Sequence, residues 1–182
     1  MTGAQAEAHA VLRDPTLAAY LAVMSRAVFQ AGLSWAAIDR QWSALYSAFD
    51  AFDPHKVAQY RDKDVQRIMG TPGILHSERK IRTTIANAKA MLELDGVHDG
   101  FRNYLRSHDS YNALVSDIRC RFSYVGDISA YYFLFRVGEK VPPFDRWITT
   151  VKGDHPRIRE MVGATPAQSR PRTKARSTQT RK

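Results

Sequence analysis

Cysteine is nearly absent from this chain, and that scarcity limits the sites it can build. The 182 residues include one cysteine, Cys120. A single cysteine excludes an internal disulfide, a cysteine-rich zinc site and a four-cysteine iron–sulfur cluster. The histidines show no helical His-x-x-x-His spacing. We therefore expect no metal ion and no other cofactor, and we expect Cys120 to be a small buried residue.

Long apolar runs are also missing. No stretch of eighteen apolar residues occurs, and the first residues, Met-Thr-Gly-Ala-Gln-Ala-Glu, lack the basic and apolar parts of a signal peptide. The sequence thus predicts a cytoplasmic protein without a membrane partner, and we expect a monomer. With 44% hydrophobic residues, the chain can bury a substantial core.

Positive charge is concentrated at one end. The formal net charge is +9, of which residues 165–182 supply six positive charges and no acid. This segment is rich in Ser, Thr, Pro and Gln, so it has too little apolar surface to offset the entropy of ordering. We predict a disordered basic tail at 165–182 after a helical domain at 1–164. The tail either attracts phosphate nonspecifically or merely aids solubility.

The pattern of apolar residues is helical throughout, with no period-two strand of useful length. Asp14-Pro15 and Asp53-Pro54 are start signals that pair an acid with proline. The sequence predicts an all-α fold with helices at about 17–31, 34–48, 54–60, 62–69, 77–94, 101–105, 113–118, 127–137, 145–151 and 156–162.

One turn between two of these helices has features of a phosphate site. The segment Phe122-Ser-Tyr-Val-Gly-Asp-Ile-Ser-Ala130 places Gly126 just before a helix. A glycine there lets backbone N–H groups approach a phosphate closely, and the helix dipole adds attraction. Tyr124, Val125 and Gly126 are therefore candidate DNA-binding residues. Taken alone, the pattern also fits a plain helix–helix turn.

The turn and the acid that follows it resemble the helix-hairpin-helix DNA glycosylase superfamily. The shared order is hydrophobe-x-x-Val-Gly-x-x-Ser-Ala, an apolar helix, a Gly-Lys loop and then Asp145. The resemblance implies a two-lobed fold and a catalytic role for Asp145. An N-cap for the following helix is the alternative role. Members that also cut the strand usually carry lysine where this chain has Ile128, so the resemblance implies a monofunctional enzyme that uses water.

Three blocks in the first half closely resemble the type I 3-methyladenine DNA glycosylases. They are Gln-Ala-Gly-Leu-Ser-Trp at 30–35, Phe-Asp-Pro-x-Lys-Val-Ala at 52–58, and Gly73-Ile74 followed by Lys80-Ile81 and Asn87-Ala88. The blocks occur in the family's order. The implied substrate is double-stranded DNA that contains an alkylated purine.

The resemblance assigns roles to individual residues. Leu33, after Gly32, is expected to fill the gap left by an extruded base, and Trp35 to line the base pocket. We also place Phe29, Gln30, Tyr131 and Tyr132 in the base pocket. Arg79 and Lys80 open a long helix and are candidate phosphate contacts, although a solvated helix face fits them equally well.

Two features depart from the family pattern. The family usually has a glutamate where this chain has Ala27, which removes a favourable contact for a cationic base. The family also binds a structural zinc through cysteines and histidines, for which this chain lacks the cysteines. Tyr20 is the one nearby candidate for the family's pocket tyrosine. Two alternatives stay open: a catalytically inactive helix-hairpin-helix DNA-binding protein, and a helical scaffold without a nucleic-acid role.

Overall fold

The computed structural model describes residues 11–31, 35–74 and 77–151. All regular structure in these ranges is helical, which confirms the all-α fold class. The helices are α1 Leu17–Gln30, α2 Trp35–Ala48, α3 Pro54–Val57, α4 Asp62–Met69, α5 Glu78–Val97, α6 Phe101–Arg106, α7 Tyr111–Arg121, α8 Asp127–Arg136 and α9 Phe144–Trp147, with 3₁₀ segments at Asp50–Phe52 and Ile148–Thr150. None of the helices in the described ranges is long and apolar enough to cross a bilayer.

The chain forms two compact units, residues 1–143 and residues 144–182. In the first unit α5 is the central helix, and it packs against α1, α3, α4 and α6. Its buried residues include Ile81, Ile85, Ala88 and Met91, at the spacing that predicted this helix. The predicted domain end at 164, the tail and the helix at 156–162 lie outside the described residues.

The two predicted proline start signals have different outcomes. Asp53 caps α3, since its carboxylate accepts a hydrogen bond from the His55 N–H at 3.0 Å and Pro54 is the first helical residue. The prediction that Asp14-Pro15 starts α1 is wrong. Thr16 is the cap, because its hydroxyl accepts from the Ala19 N–H at 3.2 Å.

The prediction that Cys120 is buried is also wrong, because this residue is exposed. It lies in the last turn of α7, whose buried positions are Leu114, Val115 and Ile118. Helical periodicity places Cys120 off that buried face.

A left-handed turn closes an aromatic stack after α2. Asp50, Ala51 and Phe52 all have positive φ angles, 50°, 56° and 57°. This backbone brings the Phe52 ring parallel to both Phe49 and Trp42, with ring centroids 5.2 Å apart in each pair. Left-handed residues with a Cβ cost about 1–2 kcal/mol each, so buried aromatic packing must offset the strain here.

Replacing the exposed Ala51 by glycine should stabilise the protein, because glycine adopts positive φ without the Cβ clash. We expect Ala51→Gly to raise the free energy of unfolding by about 0.5–1 kcal/mol. The control is Ala86→Gly, at an exposed site within α5, which should lower it by about 1 kcal/mol. Urea denaturation measures both, and a destabilised Ala51→Gly variant would contradict the strain argument.

Candidate functional site

The turn between α7 and α8, residues 122–126, is held in place by α5. The Ser123 N–H donates to Asn87 Oδ1 at 2.9 Å, and Asn87 Nδ2 donates to the Ser123 carbonyl at 3.1 Å. Phe122 and Val125 are buried beside this clamp. The Val125 side chain therefore cannot reach an outside partner, and any contact at this residue must use its backbone.

The outer face of this turn is exposed. Tyr124 has a φ of 63°, which is unusual for a bulky residue and marks a strained turn. The residue is 38% exposed, and the Arg79 guanidinium lies 4.8 Å from the ring centroid, at cation–π distance. The turn thus presents an aromatic ring and a cation side by side.

Gly126 leaves open space at the start of α8. Its φ is −93°, which any residue adopts, and a Cβ placed there would meet no atom within 4 Å. Neither conformation nor internal packing explains the glycine. The missing side chain instead leaves the first amides of α8 open to a close approach from outside.

An open groove of about 580 Å³ runs along the start of α5 beside the turn, and Arg79, Arg82 and Ser123 line it. Arg82 donates to Glu78 at 2.7 Å and to Asp62 at 2.9 Å. Arg79 makes no ion pair with the described residues. Arg79 is therefore the arginine of this groove that is best placed to bind an anion.

Lys80 does not lie on the groove. Its side chain is buried, and Nζ donates to the carbonyls of Phe29 at 2.8 Å and Ala31 at 2.7 Å. Burial lowers the pKa of Lys80 below its ordinary value. The interpretation of Lys80 as a surface phosphate contact is wrong, because the ammonium satisfies carbonyls at the end of α1.

Two residues predicted for the base pocket do come together. The rings of Trp35 and Tyr132 meet edge to face, with centroids 5.2 Å apart. Trp35 is half-buried at the start of α2, and Tyr132 is buried in α8. Burial raises the pKa of the Tyr132 hydroxyl, which accepts a hydrogen bond from Arg136 Nη1 at 2.9 Å.

The other predicted pocket residues lie elsewhere. Phe29 is fully buried and packs on Phe49 at 5.9 Å, so its side chain belongs to the core. The Tyr131 ring is buried and its hydroxyl donates to the Pro142 carbonyl at 3.0 Å, which suits a structural role. Tyr20 is buried against Phe101 at 5.0 Å.

Gln30 is the exception, because its buried Nε2 makes no hydrogen bond with the described residues. Buried polar atoms without a partner are rare, and each needs an explanation, so Gln30 is a candidate contact for a ligand. Leu33, predicted to fill the gap left by the base, and Gly32, predicted to contact DNA, lie outside the described residues.

Sequence reasoning missed a buried charged cluster beside Tyr132. Arg26 of α1 forms an ion pair with Asp39 of α2, and its guanidinium lies 4.9 Å from the Trp42 ring centroid. Arg136 of α8 is buried as well, and burial lowers the pKa of its guanidinium. The sequence did contain a signal for both, since Arg26 in α1 and Arg136 in α8 are each the one arginine of a mainly apolar helix.

Asp145 lies in the second unit, in the first turn of α9. The helix begins at Phe144, so the alternative role of Asp145 as an N-cap is wrong. Its side chain is exposed, and it makes no hydrogen bond or ion pair with the described residues 144–151 of this unit. In the same described segment Phe144 and Trp147 are buried, and their rings lie 5.9 Å apart.

Comparison with known proteins identifies the family. Residues 18–121 match the family model for methyladenine glycosylases. The chain belongs to this family. The matched residues include Trp35, Arg79 and Lys80, whereas Gly126 and Asp145 lie beyond them.

Individual members of the methyladenine glycosylase family are moderately similar to this chain in sequence. The chain is 29% identical over 89 residues to the DNA-3-methyladenine glycosylase of Haemophilus influenzae, covering 49% of this chain and 48% of that protein. It is 32% identical over 87 residues to DNA-3-methyladenine glycosylase 1 of Escherichia coli, covering 48% and 46%. The chain thus spans about half the length of the curated relatives it matches.

Solved structures of 3-methyladenine DNA glycosylase I are similar to about two thirds of this chain. A variant in complex with 3-methyladenine gives a TM-score of 0.61 at 25% identity, covering 68% of this chain and 77% of that one. The Staphylococcus aureus protein gives 0.60 at 26% identity, covering 66% and 75%. These similarities support the fold class and the first-half motifs together.

The zinc site that the resemblance implies does not fit this chain. Cys120 is exposed, and no group of three His, Cys, Asp or Glu side chains in the described ranges is arranged to hold a metal ion. The donor set lacks the thiolates that structural zinc prefers. We assign no step to a metal.

Lys80 and Arg79 are adjacent in sequence, but replacing them should change the free energy of unfolding by different amounts. Lys80→Met removes two charge-assisted hydrogen bonds, so we expect the free energy of unfolding to fall by about 2–3 kcal/mol. Arg79→Met should change it by less than about 0.5 kcal/mol, because this side chain is exposed. Thermal denaturation compares the two variants, and equal stabilities would contradict the structural role of Lys80.

Proposed function

We propose that this protein is a monofunctional DNA N-glycosylase. It hydrolyses the bond between deoxyribose and a damaged purine, most simply an alkylated, 3-methyladenine-like base, and so initiates base excision repair. The substrate is double-stranded DNA that carries the lesion, and we expect a monomer to act on it. Membership of the methyladenine glycosylase family supports the reaction class.

The observation that carries the proposal is that α5 supports both expected DNA-contact segments. Lys80 binds the backbone at residues 29 and 31, directly before the Gly32-Leu33 segment. Asn87 clamps the 122–126 turn, and Arg79 stacks on Tyr124 of the same turn. One rigid helix therefore sets the backbone where a wedge enters the duplex and where phosphate is held.

Nonspecific affinity comes from the turn and its groove. The amides after Gly126 and the Arg79 guanidinium bind phosphate oxygens, and Tyr124 orients that guanidinium. Asp127 in the first turn of α8 would repel phosphate, but its pairing with Arg119 at 2.9 Å offsets this charge. Because the contacts are to phosphate, affinity should fall as salt rises.

Base recognition uses the Trp35–Tyr132 pair and Gln30. A base must leave the duplex before its glycosidic bond is attacked, and an aromatic wall compensates for lost stacking. The Trp35 indole supplies that wall, and Tyr132 fixes the indole edge-on. The unsatisfied Gln30 amide supplies a hydrogen bond to an exposed base edge, and Leu33 fills the gap.

Asp145 is the proposed catalytic residue. Loss of the base gives the sugar oxocarbenium character, which a carboxylate stabilises while it orients or deprotonates the attacking water. The carboxylate of Asp145 is exposed and has no competing partner among the described residues 144–151 of its unit. Ile128 stands where a strand-cleaving member has lysine, so no amine is present there to form a covalent intermediate with the sugar.

One observation favours a second candidate, a catalytically inactive DNA-binding protein of the same fold. Ala27 is buried where the family usually carries a glutamate, and the residue before it, Arg26, is buried and paired with Asp39. Without that glutamate, position 27 offers no carboxylate to attract a cationic methylated base. The inactive protein would keep the turn and its groove but not hydrolysis.

A single-turnover assay with enzyme in excess over duplex DNA carrying methylated purines tests the catalytic proposal. We expect abasic product from the full chain, and we expect Asp145→Asn to lower the rate by about a hundredfold or more. The matched control is Asp109→Asn, an exposed acid before α7, which should keep the rate. Retained rate in Asp145→Asn would remove this residue from the mechanism. DNA binding without any abasic product would favour the inactive candidate.

Gly126→Ala tests the phosphate site without disturbing the fold. The new methyl group meets no protein atom within 4 Å, so stability should change by less than about 1 kcal/mol. The same methyl group blocks a close phosphate, and we expect DNA affinity to fall about tenfold at low salt. Fluorescence anisotropy with labelled duplex measures the affinity. Unchanged affinity would mean that DNA does not approach this turn.

A further inference from the structure

A second arginine lies beside the 122–126 turn, outside the groove that Arg79 lines. Arg119 belongs to the last turn of α7, and its Nη1 donates to Asp127 Oδ1 at 2.9 Å. Asp127 is the first residue of α8, directly after Gly126. The ion pair therefore places the Arg119 guanidinium next to the first turn of α8.

Most of the hydrogen-bonding capacity of Arg119 is unused. A guanidinium carries several N–H donors in one plane. Among the described residues, Asp127 alone accepts a hydrogen bond from Arg119, through Nη1. The Arg119 side chain is 52% exposed, so a ligand in solvent can approach it.

Asp127 is an unfavourable residue beside a phosphate site unless it has a second role. Its carboxylate repels phosphate, and an exposed ion pair of this kind contributes little to folding. A carboxylate that accepts one guanidinium N–H does, however, restrict the arginine side chain and leave its other donors for an anion. The Arg119–Asp127 pair therefore suits an arginine that is held in position for a phosphate.

We propose that Arg119 is a phosphate-binding residue for DNA and that Asp127 holds its guanidinium in place. The inference rests on the proposed function, because it requires a duplex on the 122–126 turn. DNA phosphates are closely spaced, so a cation next to the turn meets a neighbour of the phosphate that is bound at Gly126. The contact positions the protein on the duplex and carries no sequence information.

The experiment measures how the binding of an undamaged, labelled duplex depends on salt, by fluorescence anisotropy with the full chain. No hydrolysis is needed. Each phosphate contact contributes about 0.9 to the slope of log K against log salt concentration. Arg119→Met should therefore reduce the magnitude of the slope by about one unit and weaken binding at low salt.

The matched control is Arg121→Met, which removes the same charge from the same turn of α7. Arg121 is 47% exposed, and its Nε donates to both carboxylate oxygens of Asp117, at 2.9 and 2.8 Å. Positions 119 and 121 are two residues apart, so their side chains leave the helix on different sides. Arg121→Met should keep the wild-type slope. Equal slopes for the two variants would overturn the proposal, because the loss would then reflect net charge alone.

A second pair of variants separates a phosphate contact from charge cancellation. In Asp127→Asn the amide oxygen still accepts from Arg119, but the negative charge is gone. We expect the Asp127→Asn/Arg119→Met double variant to have a slope about one unit smaller than Asp127→Asn. Equal slopes would overturn the proposal, because Arg119 would then act only by offsetting the charge of Asp127.

Failure of this inference is distinct from failure of the proposed function. Wild-type protein that binds duplex and releases a purine, with an unchanged slope in Arg119→Met, contradicts the Arg119 contact alone. The reduced slope without any abasic product supports the contact and contradicts the proposed hydrolysis. Wild-type protein that binds no duplex contradicts both.

Discussion

The buried ammonium of Lys80 is the contact on which the rest of the site depends. It binds two carbonyls at the end of α1, at 2.8 and 2.7 Å, where helical hydrogen bonding stops. A cation at a helix C-terminus also interacts favourably with the negative end of the helix dipole. Because Lys80 lies on the central helix α5, these bonds fix the end of α1 relative to the core of the first unit.

The same helix fixes the turn that is proposed to hold phosphate. Asn87 forms two hydrogen bonds with Ser123, and Arg79 packs on the strained Tyr124. Residues 79, 80 and 87 therefore act on different partners from one rigid element. The end of α1 and the 122–126 turn are therefore positioned by the same helix.

The environment near Trp35 differs from what the family resemblance implies. Ala27 supplies a methyl group at that position, and beside it in sequence the buried Arg26 pairs with the partly buried Asp39. In α8 the buried Arg136 donates to Tyr132. Buried polar groups of this kind are costly unless their hydrogen bonds are satisfied. These pairs bear on the charge of the base in the proposed reaction.

By itself, the sequence determined the helical class, most helix positions and the Asp53 cap, because periodicity and capping are local properties. The family resemblance, rather than a local pattern, pointed to Trp35 and Tyr132 as neighbours. It did not determine that Lys80 is buried, that Phe29 and Tyr131 are structural, or that Arg26 and Arg136 are buried. Those facts depend on which helix faces meet, and a charged or aromatic residue has the same local pattern whether its face is packed or solvated. Only tertiary packing decided them, since it sets which polar atoms lose water and must find a partner.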